Sequence, residues 1–401
     1  MTPLEQHRPH RYWRTRRIVR YLSLLIIAQA ALVGSAQNRY GQETLEDGLL
    51  DPFIRYPAVP SEIIELRNRW ARATLDWVDR TLQAHPPQVD PPIIRIQALA
   101  ALDDPLHLGE APVLDVVADY FQKRIQGGLA HLQSAGHPEK GAKVWKFYNC
   151  AFVVRTANHT FAFDISHGYR KVAMTKTQLR SLAKEIDVAF ISHDHPDHAD
   201  VAFAHEMAAL GKKVVVPQAL WPNSDIERSL VRVSDTYKGN VDGVSFIAFP
   251  GSQGATIPNP VYLATADGVS LMHMGDQSRG SDYDNWIKGI GKTHDVDILF
   301  INCRDRGMQR KIAAIDPELI IPGHENELRH IVDGRQGVVR TLSNLEGNKV
   351  PVVLMSWGET FQYVREAGGV SRCPRTQGLR VGAVTEVEVD RVLVRDVGLF
   401  G

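Results

Sequence analysis

Nine consecutive residues bring three histidines and three acids together in one short loop: Ser192-His193-Asp194-His195-Pro196-Asp197-His198-Ala199-Asp200. They directly follow the apolar run 188–191. Imidazole nitrogens and carboxylate oxygens are ligands that divalent transition metals take, and a short strand ending in a turn can aim several such side chains at one point. The spacing therefore predicts a metal site, typically for two ions, and metal-assisted hydrolysis. A solvated, histidine-rich surface loop is the alternative interpretation.

Three later positions follow strand-like runs in the same way. Asp276 follows Leu271-Met272-His273-Met274-Gly275, in which Gly275 permits a sharp turn before the acid. His324 follows Ile320-Ile321-Pro322-Gly323, and Gln253 follows Phe249-Pro250-Gly251-Ser252. All three side chains could therefore sit at strand ends and face a common cleft.

With these residues in view, the chain resembles the metallo-β-lactamase-fold superfamily over about residues 143–360. Within that superfamily it looks most similar to the branch that contains L-ascorbate-6-phosphate lactonase. The resemblance implies an α/β fold, the four-layer αββα metallo-β-lactamase sandwich. It also implies six metal ligands: His193, His195, Asp197, His198, Asp276 and His324.

The resemblance also implies how these ligands divide. The two histidines of His-x-His bind one metal, the following Asp-His pair binds the second, and Asp276 bridges the two. The family normally adds a histidine to the first metal in a Pro-x-x-His setting, where this chain has Gln253. Gln253 could supply a weak carbonyl ligand or leave the position to water. The first ion would then bind more weakly, differ in identity or be absent. Zinc is expected, and manganese or iron also suits these ligands.

The expected reaction follows from such a site. Water bound to a metal has a much lower pKa than free water, so hydroxide is available near neutral pH to attack a carbonyl or phosphoryl centre. Asp197 is the expected catalytic residue, steering the attacking water as well as binding metal. We expect a small-molecule substrate: a lactone, ester, amide or phosphoester. The alternative is a non-catalytic binding protein that retains the fold with a degraded first metal site; a redox role is a third possibility.

Several further residues have weaker predicted roles. His273, Arg304 and Arg306 could contact substrate, the arginines by holding an anionic group; a core histidine and a solvated loop are equally good interpretations. Asp194 and Asp200 are expected to orient ligating histidines or to cap a helix.

The N-terminus predicts export. Residues 1–36 hold six arginines and one acid, followed within the segment by an apolar run over 21–33 and the small residues Gly34-Ser35-Ala36. This pattern is typical of a signal peptide cleaved after Ala36, which would place the protein in the periplasm or outside the cell. An uncleaved N-terminal membrane anchor is the alternative. The remainder has 40 basic against 45 acidic residues and shows no basic patch of the kind that binds nucleic acid.

Cysteine chemistry is not prominent. The three cysteines are Cys150, Cys303 and Cys373, and no C-x-x-C occurs. Cys150 and Cys303 lie in apolar, strand-like contexts that predict burial. Without a partner motif, neither is predicted as a zinc ligand or a nucleophile.

The elements that must position the site begin near residue 143. Residues 37–142 are predicted as a helical extension, with helices over 61–85 and 113–133. Residues 143–371 are predicted as the metallo-β-lactamase-fold domain, and residues 372–401 as a C-terminal segment rich in strands. Predicted strands of the domain lie at 144–148, 151–155, 160–164, 188–191, 213–216, 244–249, 261–265, 270–274, 297–301, 319–321 and 352–355. Helices are predicted at 176–185 and 201–210, so helices alternate with strands as in a layered α/β fold.

Overall fold

The computed structural model describes residues 61–234, 236–305 and 307–364. The chain divides into two units, Met1–Ser61 and Glu62–Gly401, and the described residues lie almost wholly in the second. The predicted signal peptide, the predicted strands of 372–401, Cys373 and Arg306 lie outside the described residues.

Helices dominate the first part of the described chain and then separate the strands. The α-helices are α1 Ser61–Ala84, α2 Ile93–Leu106, α3 Asp115–Ser134, α4 Lys176–Glu185, α5 Val201–Ala209, α6 Ser281–Asn285, α7 Ile290–Thr293, α8 Met308–Ile315 and α9 Val338–Asn344. Among the described residues, no helix has both the length and the apolar character needed to cross a bilayer.

The strands begin after the third helix. They are β1 Ala142–Lys146, β2 Phe152–Arg155, β3 Thr160–Phe163, β4 Gly168–Tyr169, β5 Val172–Ala173, β6 Val188–Phe190, β7 Lys213–Pro217, β8 Leu230–Val233, β9 Tyr237–Val241, β10 Val244–Phe249, β11 Ser252–Gln253, β12 Ile257–Pro258, β13 Val261–Ala266, β14 Val269–His273, β15 Ile298–Asn302, β16 Leu319–Gly323 and β17 Glu359–Tyr363.

Two large sheets form the centre of the fold. The first has the strand order β17-β1-β2-β3-β6-β7-β8, and the second has the order β16-β15-β14-β13-β10-β9. Strands β3, β6, β7 and β8 run parallel in the first sheet, and β14, β15 and β16 run parallel in the second. Parallel neighbours end on the same edge of their sheet, so the loops after these strands can meet there.

Alternation along the strands separates the two faces of each sheet. In β3, Phe161 and Phe163 belong to the apolar cluster between the sheets, whereas Ala162 belongs to the cluster beneath the helices. Across the sandwich, Phe152 stacks on Phe300 with ring centroids 4.3 Å apart. Apolar residues of α3, α4, α5 and α8 cover the outer faces. The result is the predicted αββα arrangement.

The N-terminal helices are tied to the first sheet by a buried ion-pair network. Arg95 of α2 is fully buried and lies 2.6 Å from Glu359 of β17, which also lies 3.3 Å from Arg124 of α3. Removing one member of a buried pair leaves an uncompensated charge, so these contacts hold the helices in a defined position.

The helical extension differs from the prediction in one respect. The predicted helices over 61–85 and 113–133 are present as α1 and α3, but α2, over Ile93–Leu106, was not predicted. Its sequence IIRIQALAALDDPL has almost no amphipathic period, because the helix is covered on several sides. The predicted strand over 352–355 is wrong as well: only Val352 makes an isolated bridge, to Ile320. The strand that pairs with β1 at this edge is β17.

Candidate metal centre

The predicted ligands lie at one edge of the sandwich, where strands of both sheets end. The His193–His198 loop follows β6 of the first sheet. Asp276 follows β14 and His324 follows β16 in the second sheet. The loops are therefore brought together by the packing of the two sheets, as the strand-end argument expected.

Four of the predicted ligands form one tight group, which we call the Asp197 group: Asp197, His198, Asp276 and His324. Nε2 of His198 lies 3.3 Å from Oδ2 of Asp197 and 3.4 Å from Oδ1 of Asp276. Nε2 of His324 lies 3.5 Å from the same Asp197 oxygen and 3.4 Å from Oδ2 of Asp276. Ligands around a tetrahedral ion with bonds of about 2.0–2.1 Å lie roughly 3.3–3.4 Å apart. The four imidazole–carboxylate distances are therefore close to those found around a bound divalent ion.

The other predicted ligands form a looser group, the His193 group: His193, His195 and Asp276. Each offers one donor atom, and these atoms lie within 4.8 Å of one another. Nε2 of His193 is 3.8 Å from Oδ2 of Asp276. Gln253 lies at this group, where its Nε2 donates to the same Asp276 oxygen at 3.0 Å. Asp276 thus contacts both groups, as a bridging ligand must.

Unpartnered buried atoms test whether these residues fit a metal. Within the described chain, Nε2 of His193, Nε2 of His324 and Oε1 of Gln253 are buried without a hydrogen-bond partner. Leaving a buried polar atom unpaired costs about 1–3 kcal/mol, and all three are donor types that a divalent transition metal accepts. The residues present fit a metal centre, and ligation by each named residue stays a prediction.

Asp164, which follows β3, orients His198 from behind. Its Oδ2 accepts hydrogen bonds from Nδ1 of His198 at 2.7 Å and from Oγ of Ser192 at 2.6 Å, and its Oδ1 accepts from the Ser192 backbone N–H at 2.7 Å. A carboxylate on Nδ1 fixes the tautomer of the imidazole, so that Nε2 of His198 presents its lone pair to the site.

Asp276 is positioned by the turn after β14. Gly275 has φ of +52°, and a β-carbon there would lie 2.5 Å from Oγ of Ser192, so the sharp turn needs glycine, as predicted. Asn259 accepts from the Asp276 backbone N–H at 2.9 Å. Asn302, at the end of β15, donates to Oδ1 of Asp276 at 2.5 Å. Asn259 therefore holds the backbone of Asp276, and Asn302 holds its carboxylate.

Several site residues hold a left-handed backbone. Asn149, Asp164 and His324 have φ of 57°, 46° and 73°. This region is costly for residues with a β-carbon and is concentrated at functional sites, where the surrounding structure enforces it.

The site places buried histidines next to buried aspartates, and these neighbours shift the pKa values of one another. Burial and the neighbouring His198 lower the pKa of His193 to about 3. Burial opposes ionisation of Asp197 and Asp276, but the histidines around them hold the pKa of both carboxyls well below the usual range. Burial likewise acts against charge on His324, yet Asp276 and Asp197 raise its pKa to about 10. Without metal, protons on imidazoles balance the carboxylates, and a bound dication would replace them.

The residues with weaker predicted roles are spread around this centre. His273 is buried, with its ring stacked on Phe163 at a centroid distance of 4.9 Å, which is the position of a core histidine. Arg304 is half-buried and contacts the ring of His330 through Nη1. His330 in turn lies 5.3 Å from the His324 ring, measured between centroids.

The two predicted supporting acids differ in position. Asp200 accepts from the Phe203 backbone N–H at 3.1 Å and caps α5, which confirms its predicted capping role. It also accepts from Nδ1 of His167 at 2.5 Å. Asp194 is exposed.

Sequence reasoning assigned no role to three buried groups near the centre. Asp164 was detectable, since it is an acid at the end of the predicted strand over 160–164. Asn149, whose Nδ2 donates to Oδ2 of Asp197 at 2.8 Å, left no such signal. Glu327 accepts from the hydroxyl of Tyr148 at 3.1 Å, and burial together with Asp197 raises its pKa to about 7.

A comparison with known proteins matches the part of the chain that carries the candidate metal centre. The family model described as "Beta-lactamase superfamily domain" matches residues 143–324, from β1 to the last predicted ligand. The fold of this region is the metallo-β-lactamase sandwich, as predicted. No curated protein matches the sequence.

Solved structures with similarity to this chain include enzymes with different activities. Igni18, a metallo hydrolase from Ignicoccus hospitalis, is 19% identical with a TM-score of 0.45, over 56% of this chain and 99% of that chain. The isothiocyanate hydrolase from Delia radicum gut bacteria is 13% identical with a TM-score of 0.44, over 55% and 99%. CmlA, a diiron beta-hydroxylase from Streptomyces venezuelae, is 13% identical with a TM-score of 0.42, over 56% and 55%.

Proposed function

We propose that this protein is a metal-dependent hydrolase of small molecules. The observation that carries the proposal is the Asp197 group, in which each of two imidazole nitrogens lies 3.3–3.5 Å from an oxygen of each of two carboxylates. Nε2 of His324, which is buried close to both carboxylates and makes no hydrogen bond to a described residue, supports it. Such a donor set suits zinc, manganese or iron, and we propose zinc.

A bound divalent ion would supply Lewis acidity and lower the pKa of a water molecule. The chain's own residues perform the remaining tasks. Asp164 holds His198 in the tautomer that leaves Nε2 available. Asp197 stays ionised because its pKa is well below the usual range, so it can accept a hydrogen bond from the attacking water and orient it.

The substrate classes that this chemistry suits are lactones, esters, amides and phosphoesters. Placement near the L-ascorbate-6-phosphate lactonase branch would favour lactones and remains part of the proposal. Export to the periplasm or beyond is proposed from residues 1–36 alone. Any membrane attachment would come from that segment if it is not cleaved.

A second candidate function rests on Gln253. Its Nε2 donates to Asp276 in the place where the family has a metal-binding histidine. A non-catalytic binding protein that keeps the fold and the Asp197 group, but has lost the first metal, would look the same.

Metal analysis paired with a substrate screen tests the proposal. The full-length protein, purified without added metal, is assayed for zinc, manganese and iron, and its turnover is measured on one representative of each of the four substrate classes. The variant His198→Ala should lose metal and activity. The matched control His205→Ala removes a half-exposed histidine that lies 3.5 Å from Asp225 and should lose neither.

Two results would contradict the proposal in different ways. Less than one metal per chain after loading, without turnover, would show that no metal centre forms. One metal per chain without turnover on any class would favour the binding-protein alternative.

A further inference from the structure

Cys150 lies at the candidate metal centre, although no sequence motif predicted it as a metal ligand. It follows Asn149 in the turn between β1 and β2, and its side chain is buried. Its Sγ, a ring nitrogen of His198 and a carboxylate oxygen of Asp276 all lie within 4.8 Å of one another. The thiol therefore stands beside two members of the Asp197 group.

The turn that carries Cys150 is held against the site from both sides. Nδ2 of Asn149 donates to Oδ2 of Asp197 at 2.8 Å. Nε2 of His273 lies 3.3 Å from the Cys150 carbonyl oxygen. These contacts fix the backbone of Cys150, so its side chain can move mainly by rotation about one bond.

Gly323 allows the thiol to approach the last ligand loop. A β-carbon on Gly323 would lie 3.3 Å from Sγ of Cys150, which is tighter than ordinary contact. The following residue is His324, whose buried Nε2 lies 3.5 Å from Oδ2 of Asp197 and 3.4 Å from Oδ2 of Asp276. The thiol of Cys150 thus packs against the loop that carries His324.

Resting on the proposed function, we propose that Cys150 is a sulfur ligand of a metal held together with His198 and Asp276 of the Asp197 group. A tetrahedral ion with a sulfur bond of about 2.3 Å and a nitrogen bond of about 2.0–2.1 Å separates these ligands by roughly 3.6 Å. The present separations are at most 4.8 Å, so each would need to shorten by no more than about 1.2 Å. Cys150 would bind as the thiolate, and its proton would be released to solvent when the metal binds.

A sulfur ligand changes the metal preference of the site. Thiolate is a soft donor that selects zinc over manganese, whereas carboxylate and water suit manganese. The Cys150→Ser variant should bind zinc roughly 10–100-fold more weakly. Removing a residue that only hydrogen-bonds to a metal ligand already lowers metal affinity by this factor, so the loss of a ligand should be at least as large. Its manganese affinity should change less.

Cobalt(II) gives a readout that does not depend on activity. The metal-free full-length protein is titrated with cobalt(II), which absorbs in the visible region in most sites and adds an intense near-ultraviolet charge-transfer band when sulfur is bound. We expect this band in the wild type and in Cys303→Ser, which removes a buried thiol that is in none of the described candidate metal clusters. We expect it to be absent in Cys150→Ser.

A measurement on the wild type alone covers the case in which Cys150→Ser does not fold. X-ray absorption of the zinc-loaded protein should show a scatterer at about 2.3 Å, the zinc–sulfur distance. Bound metal with neither the charge-transfer band nor the sulfur shell would overturn the Cys150 assignment and leave the proposed metal centre intact. Failure to bind cobalt or zinc at all would overturn both.

Discussion

Asp164 offers a test of how the metal centre is held, through the substitution Asp164→Asn. The carboxylate accepts from three donors: the Ser192 backbone N–H, the Ser192 hydroxyl and Nδ1 of His198. Asparagine has the same shape but presents one oxygen and one NH2 group. In either orientation, its NH2 group faces an N–H donor, of Ser192 or of His198. One hydrogen bond to the Asp164 carboxylate is therefore replaced by two N–H groups that face each other.

The size of the effect follows from these contacts. Leaving one buried donor unsatisfied costs about 1–3 kcal/mol. Losing the carboxylate partner of a metal-binding histidine lowers metal affinity by about 10–100-fold, which corresponds to about 1.4–2.7 kcal/mol. The two ranges agree, so we expect zinc affinity to fall by that factor and the free energy of unfolding of the metal-free protein to fall by about 1–3 kcal/mol.

Competition with a chromophoric zinc chelator measures the affinity, and urea unfolding measures the stability. The matched control is Asp267→Asn. Asp267 also accepts from a hydroxyl, a backbone amide and an imidazole, those of Thr156, Asn158 and His159. These partners lie outside the metal centre, so the control should lose stability without losing zinc affinity.

One result would refute the reasoning about Asp164. If Asp164→Asn lost stability as the control does but bound zinc as tightly as the wild type, the carboxylate would support the fold without orienting His198. An equal loss of zinc affinity in both variants would show that the effect is not local.

Three further changes probe the same region. Gln253→His should raise the metal content toward two ions per chain by restoring an imidazole beside Asp276; unchanged metal content measured by mass spectrometry would count against the mapping of the first site. The pKa of His324 is raised to about 10 in the metal-free protein, so its stabilisation is fully present below pH 6.5 and is lost as pH rises through 10; urea unfolding should show this loss in the wild type and not in His324→Gln. Burial and Asp197 raise the pKa of Glu327 to about 7, so the cost of ionising it grows between pH 4.5 and 7; Glu327→Gln should therefore stabilise the protein at pH 8 but not at pH 4, and a gain at both would contradict this origin.

The strand and helix pattern of the sandwich was largely predictable, and the reason is local. The predicted strand over 188–191 and the predicted helix over 176–185 have the apolar runs and periodicity that specify those elements. The unpredicted helix α2 is covered on several sides and so has no apolar stripe. Strand β17 follows a turn and is a strand because its edge pairs with β1, a partner more than 200 residues away in the chain.

For the candidate metal centre, too, some features could be predicted from the sequence and others could not. The His193–His198 loop, Asp276 and His324 could be singled out because each has a ligand side chain directly after an apolar run. Their separation by 3.3–3.5 Å in the Asp197 group could not, because it depends on two sheets packing so that parallel strands of both end at one edge.

By itself, the sequence determined which side chains could bind metal and which loops carry them. It could do so because both the ligand side chains and the apolar runs of the strands are recognised from neighbouring residues. Only the tertiary structure decided which other groups stand beside them. It brought Asp164 behind His198, placed Gln253 on Asp276, and set the thiol of Cys150 next to His198 and Asp276. These neighbours come from distant segments, and side-chain packing between two sheets, rather than any local pattern, determines their contacts.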